Sequence, residues 1–180
     1  MTGFLVVALV VAALGAVMDW RTGHIPNWLT LGALAIAPFA HVIRAYSIGL
    51  RGTDALLEGA FSILGAFICG IVPVLLYRRE AIGAGDVKLL LAIGAWLQWR
   101  TGFEAEMYSF FAAGIFAPAR LAYEGKLFAT VRNTFAVAAN PFLPKTKQRK
   151  LEPSMLTWFR FGPSIFVGTL VTAFLHWRGG

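Results

Sequence analysis

Two aspartates occupy places where an apolar chain least accommodates an ionised group. Asp19 ends the first apolar run and opens Asp19-Trp20-Arg21-Thr22-Gly23-His24-Ile25-Pro26-Asn27. Asp86 closes Gly83-Ala84-Gly85-Asp86 and leads directly into the apolar run that begins Val87-Lys88-Leu89. An ionisable group at a membrane boundary is a functional candidate by default. Two of them suggest hydrolysis of an amide bond through a shared proton. The ionised carboxylate takes a proton from the attacking water, and the protonated carboxyl donates to the carbonyl oxygen. Two carboxylates about 3 Å apart do not both ionise readily. A coupled pair titrates as a unit, so the spacing does not assign the proton to either residue.

The flanking residues suit that chemistry. Gly83 and Gly85 admit a close backbone approach that a side chain would obstruct, so an extended substrate can lie beside Asp86. Pro26 cannot continue a helix, and Asn27 is expected to N-cap a helix starting at Trp28. That turn would hold Asp19 at the mouth between the first two helices. Lys88 is placed either to pair with Asp86 or to reach the headgroup region. Each motif is weak alone, since aspartates often cap helix ends and glycine-rich turns often precede helices. Their joint occurrence on one predicted membrane face carries the argument. His24, His41 and His176 are scattered without metal-ligand spacing, with His24 read as a turn residue. No metal and no organic cofactor is expected. The single cysteine, Cys69, excludes an internal disulfide framework and a zinc ribbon, and reads as an inert lipid- or helix-facing residue.

The elements that must position these residues are membrane helices. The chain is 58% hydrophobic and 14% charged, with a mean hydropathy of +0.68. Soluble domains average about 45–50% and about 25% respectively. The fold class expected is an all-α polytopic bundle. A span needs about 20 apolar residues, which gives candidates at 2–18, 28–46, 56–77, 87–99, 103–119 and 161–177. The fourth is short and can begin before Asp86, drawing that residue to membrane depth. The fifth carries Glu104 and Glu106, so its start is expected at the interface. Six spans are expected, or four if the fourth and fifth form a re-entrant or interfacial structure. Trp20, Trp28, Trp96, Trp99, Trp158 and Trp177 lie near span ends and read as an interfacial belt. Met1-Thr2-Gly3-Phe4 lacks the basic start of a cleaved signal peptide, so the first segment is expected to be retained.

The sequence reads as one domain over residues 1–180, with a basic segment at 120–160. There Arg120, Lys126 and Arg132 alternate with Leu121, Leu127, Phe128, Val131 and Phe135. An interfacial amphipathic helix fits, followed by exposed Lys145, Lys147, Arg149 and Lys150. Of the 16 Lys and Arg, only Arg44, Arg51, Arg100 and Arg178 fall on the membrane side opposite the aspartates. The positive-inside rule then turns the aspartates to the cytoplasm. The net charge of +7 is explained by this excess beside anionic headgroups, without a nucleic-acid partner.

With Asp19-x5-Ile25-Pro26-Asn27, Gly83-x-Gly85-Asp86-x-Lys88 and the downstream Phe161-Gly162-Pro163, the chain resembles the type IV prepilin peptidases, membrane aspartyl proteases of the GxGD class. The resemblance implies that Asp19 and Asp86 are the catalytic pair, supported by Gly83, Gly85, Lys88, Pro26 and Asn27. It implies cleavage of the leader peptide from type IV pilin-like precursors at the cytoplasmic face of a bacterial inner membrane. The implied partners are the precursor and membrane lipids; no oligomeric state follows. Larger members carry a cysteine-bearing cytoplasmic domain ahead of the segment equivalent to residues 2–18. The compact form resembles the peptidases of tight-adherence (Flp-type) pili, and no N-methyltransferase activity is expected. Residues 120–160 depart from the family pattern. Two other readings are a proton-coupled small transporter and a non-catalytic subunit of a pilus or secretion machine. A transporter should show broken helices in related halves, and the sequence has no internal repeat. An assembly subunit would tolerate loss of either aspartate.

Topology is testable with Cys69→Ser as background. Cysteines placed at Thr22, Ala84 and Thr146 are expected to react with an impermeant maleimide only from the cytoplasm, and one at Thr53 only from outside. Labelling of positions 53 and 146 from the same side would overturn the six-span order.

Overall fold

Lipid offers no hydrogen-bond partners, so a spanning backbone must satisfy its own polar groups, as a helix does. The computed structural model describes residues 2–125, 128, 131, 132 and 160–177, and these contain helices and no strand. The helices are α1 (Thr2–Thr22), α2 (Asn27–Ser47), α3 (Thr53–Arg78), α4 (Ala84–Tyr123) and α5 (Gly162–Trp177). The first three are long and apolar enough to cross a membrane, and α5 is a shorter apolar helix of 16 residues. Their burial pattern is that of a membrane bundle. Val10, Val17, Ile36, Phe39, Phe67 and Ile71 point outward, while Ala8, Ala12, Ala37, Ala55 and Ala66 are buried. Lipid tails give helices no hydrophobic reason to associate. Small residues that permit close backbone packing are what hold such bundles together.

The chain forms two compact units, residues 1–113 with 160–180, and residues 114–159. In the second unit the described residues include the last turns of α4 and an Arg120–Glu124 ion pair at 2.9 Å. That pair is partly exposed and contributes little stability. The expected amphipathic helix beyond Gly125, apart from Phe128, Val131 and Arg132, lies outside the described residues. So do the run Lys145 to Lys150 and Trp158.

In the first unit α4 is interrupted at Gln98, whose φ of 59° and ψ of 178° are not helical. A Cβ on Gly102 would lie 2.9 Å from the Cα of Gly94. Eight residues along a straight helix would separate these positions by about 12 Å. The chain therefore doubles back at Gln98, and the two short apolar runs at 87–99 and 103–119 are limbs of one hairpin. The break frees carbonyls at the end of the first limb, which side chains then engage. The Ser62 hydroxyl donates to Ala95 O at 2.8 Å, and His41 Nε2 donates to Trp96 O at 3.2 Å.

Three glycines make the hairpin possible. A Cβ on Gly65 of α3 would overlap the carbonyl oxygen of Gly94 and come within 2.8 Å of the Gln98 backbone. One on Gly94 would lie 2.7 Å from the Cys69 Cβ, and one on Gly102 3.0 Å from its Sγ. Cys69 is thus a buried packing residue at this crossing. One expectation is corrected here. Trp96 is not part of the interfacial belt: it is 7% exposed, and its indole N–H donates to Ala33 O at 2.9 Å. Glu106 is likewise buried, 2% exposed and without a hydrogen-bond partner on either carboxyl oxygen among the described residues. The hairpin carries both residues inward, which a linear reading of the two runs does not anticipate. Trp20, Trp28, Trp99 and Trp177 remain outward.

Gly65→Ala is expected to lower the thermal unfolding midpoint in detergent, at a cost of about 1–3 kcal/mol for overpacking against backbone. Gly32→Ala, where a Cβ meets nothing within 4 Å, is the matched control and should not lower it. Equal midpoints for the two variants would contradict the packing described.

Candidate active site

The GxGD segment is a helix start. With α4 beginning at Ala84, Gly83 is the residue before the helix and Asp86 is the third residue within it. Asp86 Oδ2 accepts the Gly83 N–H at 3.2 Å. This is the reciprocal half of a capping box, in which an acceptor at the third helical position satisfies the N–H ahead of the helix. The geometry fixes the carboxyl on the main chain and leaves Oδ1 buried without a hydrogen-bond partner. Asp86 is 9% exposed.

Asp19 is held from the other end of the sequence. It lies in the last turns of α1 and is 7% exposed. Its Oδ2 accepts the N–H of Gly162 at 3.0 Å. Gly162 opens α5, where backbone N–H groups lack intrahelical partners and the helix dipole favours a carboxylate. A Cβ on Gly162 would sit 2.8 Å from both Cβ and Oδ2 of Asp19. Pro163 follows at a position where a missing N–H costs nothing, and the Phe161 ring packs on Phe110 at 5.4 Å between centroids. Arg160 completes the clamp. Its guanidinium donates to the backbone oxygens of Asp19 (3.0 Å) and Trp20, a cation placed on the C-terminal carbonyls of α1.

The two motifs also grip one another. Ile25, 3% exposed, lies over Gly85, where a Cβ would come 3.2 Å from the Ile25 Cβ. Lys88 Nζ donates to Asn27 Oδ1 at 2.8 Å. Two expectations change with that bond. Asn27 is not the N-cap of α2: it is the first helical residue, and Pro26, extended at ψ 143°, holds the cap position without a side-chain bond. Lys88 is not paired with Asp86; its stem carries the ammonium across to the neighbouring turn instead. His24 is an exposed turn residue, as expected, with its N–H on the Thr22 hydroxyl at 3.3 Å.

Asp19 and Asp86 lie within electrostatic range of each other. The structure therefore gathers Asp19, Asp86, Gly83, Gly85, Lys88, Pro26 and Asn27 at one end of the first unit. It adds three residues to which the sequence reading gave no role at the site: Arg160, Gly162 and Ile25. The Phe161-Gly162-Pro163 match was the signal for Gly162 and the Ile in the first motif was the signal for Ile25, while Arg160 carried no signal of its own. Among the described residues no cluster of His, Cys, Asp or Glu is arranged to hold a metal ion.

A family model described as "Type IV leader peptidase family" matches residues 5–118. The chain is 34% identical over 87 residues to the prepilin leader peptidase/N-methyltransferase of Escherichia coli (strain K12), covering 48% of this chain and 37% of that protein. It is 38% identical over 89 residues to the protein of the same name from Burkholderia pseudomallei (strain 1026b), covering 46% and 26%. For the Klebsiella pneumoniae protein of that name the figures are 32% over 85 residues, 47% and 36%. The chain thus spans only about a quarter to a third or so of the length of these curated relatives. No solved structure matches it. Both aspartates and the segments Ile25-Pro26-Asn27 and Gly83-Ala84-Gly85 fall inside the matched region, and the chain belongs to the type IV leader peptidase family.

Proposed function

We propose that this chain is an aspartyl endopeptidase that removes the leader peptide from type IV pilin-like precursors, with Asp19 and Asp86 as its catalytic carboxyls. One observation carries the reading. Two buried carboxyls from different helices lie within electrostatic range, each anchored by a backbone N–H, and Asp86 Oδ1 has no hydrogen-bond partner among the described residues. The names of the relatives join a peptidase to an N-methyltransferase. The family match over residues 5–118 includes both aspartate motifs, and we carry over the peptidase half alone.

In the proposed reaction a water lies between the carboxyls. The ionised member takes its proton as the water oxygen attacks the scissile carbonyl carbon. The protonated member donates to the carbonyl oxygen, giving a neutral tetrahedral intermediate. Collapse breaks the C–N bond as the departing nitrogen takes a proton from one carboxyl and a hydroxyl of the intermediate returns its proton to the other, which leaves the pair with one proton as at the start. Gly83 keeps side-chain bulk away from the approach to Asp86, and the Lys88–Asn27 bond with Pro26 keeps the two turns in register. The substrate would enter from the cytoplasmic side of a bacterial inner membrane, along the rim carrying Arg21, Arg78, Arg79 and Lys88. In this reading the chain crosses the membrane six times, counting the α4 limbs separately. It acts as one peptidase domain, with the basic segment at 120–160 resting on the headgroups.

Asp19→Asn and Asp86→Asn are each expected to abolish cleavage of a precursor in liposomes, read as the mass of the new amino terminus, while helical content stays unchanged. The double variant should be little worse than either single one, since the pair acts as a unit. Near-normal turnover by either single variant would sink the assignment.

Gly162→Ala is expected to lower kcat by on the order of 100-fold with a smaller change in KM, because displacing a reacting group by about 1 Å costs roughly that much. The added methyl falls where Asp19 now sits. A kcat equal to wild type would show that the start of α5 does not position Asp19.

A further inference from the structure

The opposite end of the first unit holds a second polar site. The start of α1, the end of α2, the start of α3, the break in α4 and the end of α5 converge there on a cavity of about 280 Å³. Phe4, His41, Arg44, Glu58, Gln98 and His176 are among its walls. That volume is at the small end for a ligand pocket, and it suits a compact polar group rather than a peptide.

The wall is built, and its charges are not spent on each other. Gln98 is held at a positive φ that costs a non-glycine residue on the order of 1–3 kcal/mol. Its amide donates to Glu58 Oε2 at 3.0 Å and lies 3.4 Å from His41 Nδ1. His41 donates its other N–H to Trp96 O, which leaves Nδ1 as an acceptor. The Phe4 ring stacks on the imidazole with centroids 4.1 Å apart. Arg44 rests its guanidinium on the same ring at 5.5 Å. His176 is engaged by Glu104 at 2.6 Å. Among the described residues Arg44 and Glu58 form no ion pair with one another or with any other side chain. One cavity therefore presents a guanidinium and a carboxylate as separate, uncompensated charges.

We propose that this cavity binds the phosphoethanolamine headgroup of a membrane phospholipid, with its phosphate on Arg44 and its ammonium on Glu58. A zwitterion carrying both charges on a short linker matches the two poles. A guanidinium suits a phosphate, and a primary ammonium can donate hydrogen bonds to a carboxylate, which a trimethylammonium cannot. A headgroup with net negative charge gains from Arg44 but meets repulsion from Glu58. The location supplies the lipid. The cavity lies at the ends of helices long and apolar enough to cross a membrane, and Ile43 and Leu57, next in sequence to Arg44 and Glu58, are exposed apolar residues along which acyl chains can lie. The inference does not depend on the peptidase reading, and its readout is lipid occupancy.

The test is native mass spectrometry of the delipidated protein in detergent, offered phosphatidylethanolamine, phosphatidylcholine and phosphatidylglycerol at equal concentration. Wild type is expected to retain the ethanolamine lipid about tenfold over the other two, the scale of one charge-assisted hydrogen bond. Arg44→Gln and Glu58→Gln should each erase that preference, and Arg44→Lys should restore part of it. Circular dichroism confirms that each variant is folded. If one variant fails to fold, the other decides. Soluble O-phosphoethanolamine at the same concentration should not displace the lipid. Equal retention of the three lipids, or an unchanged preference in folded Gln variants, would mean annular lipid only and would overturn the site. Displacement by the soluble compound would overturn the lipid as its occupant.

Discussion

The structure turns on the difficulty of keeping a carboxyl inside a bundle that sits in lipid. Unpaired, a buried carboxylate is among the most costly groups a fold can contain. Here each aspartate is met by a main-chain N–H, that of Gly162 for Asp19 and that of Gly83 for Asp86. Main-chain donors at helix starts are available because the helix itself leaves them unused. They also have no rotamers to lose. A side-chain donor such as lysine would bring its own charge and its own freedom. The site is therefore positioned by where α4 and α5 begin, and the conformations of long side chains matter less.

The same logic governs the far end. Breaking α4 at Gln98 exposes carbonyls that lipid cannot satisfy, so the break is confined to a place where Ser62 and His41 reach them. Gly65, Gly94 and Gly102 let α3 and the two limbs approach to backbone contact around Cys69. The first limb runs from Asp86 at one end of the unit to the break at Gln98 at the other. Irregular backbone at one end and a precise carboxyl pair at the other are thus parts of one packing solution.

Much of this was legible in the sequence, and the exceptions have physical causes. The aspartates, their glycines and the apolar runs announce themselves by residue type and spacing, because burying charge and spanning lipid tolerate few substitutes. The role of Asn27 was misread since a helix boundary displaced by a single residue converts a cap into a first-turn side chain, and the sequence does not resolve that step. Lys88 was given two destinations, Asp86 or the headgroups, whereas its reach takes it to a turn 61 residues away. A reversal between the runs 87–99 and 103–119 was expected, but its place at Gln98, inside the first run, was hidden because Leu97-Gln98-Trp99-Arg100 contains no glycine or proline. That turn is imposed by tertiary hydrogen bonds. Arg160 was counted only as a topogenic charge, and nothing local distinguishes it from its neighbours.

The bond between Asp19 and Gly162 spans 143 residues, and it sets an order of events during biogenesis. Asp19 is made 143 residues ahead of its main-chain donor. Through that stretch of synthesis the carboxyl has no α5 to rest on, whatever the state of α4. Its contact forms only when α5 inserts antiparallel to α1. A chain arrested before residue 162 would carry both aspartates without the contact that holds Asp19.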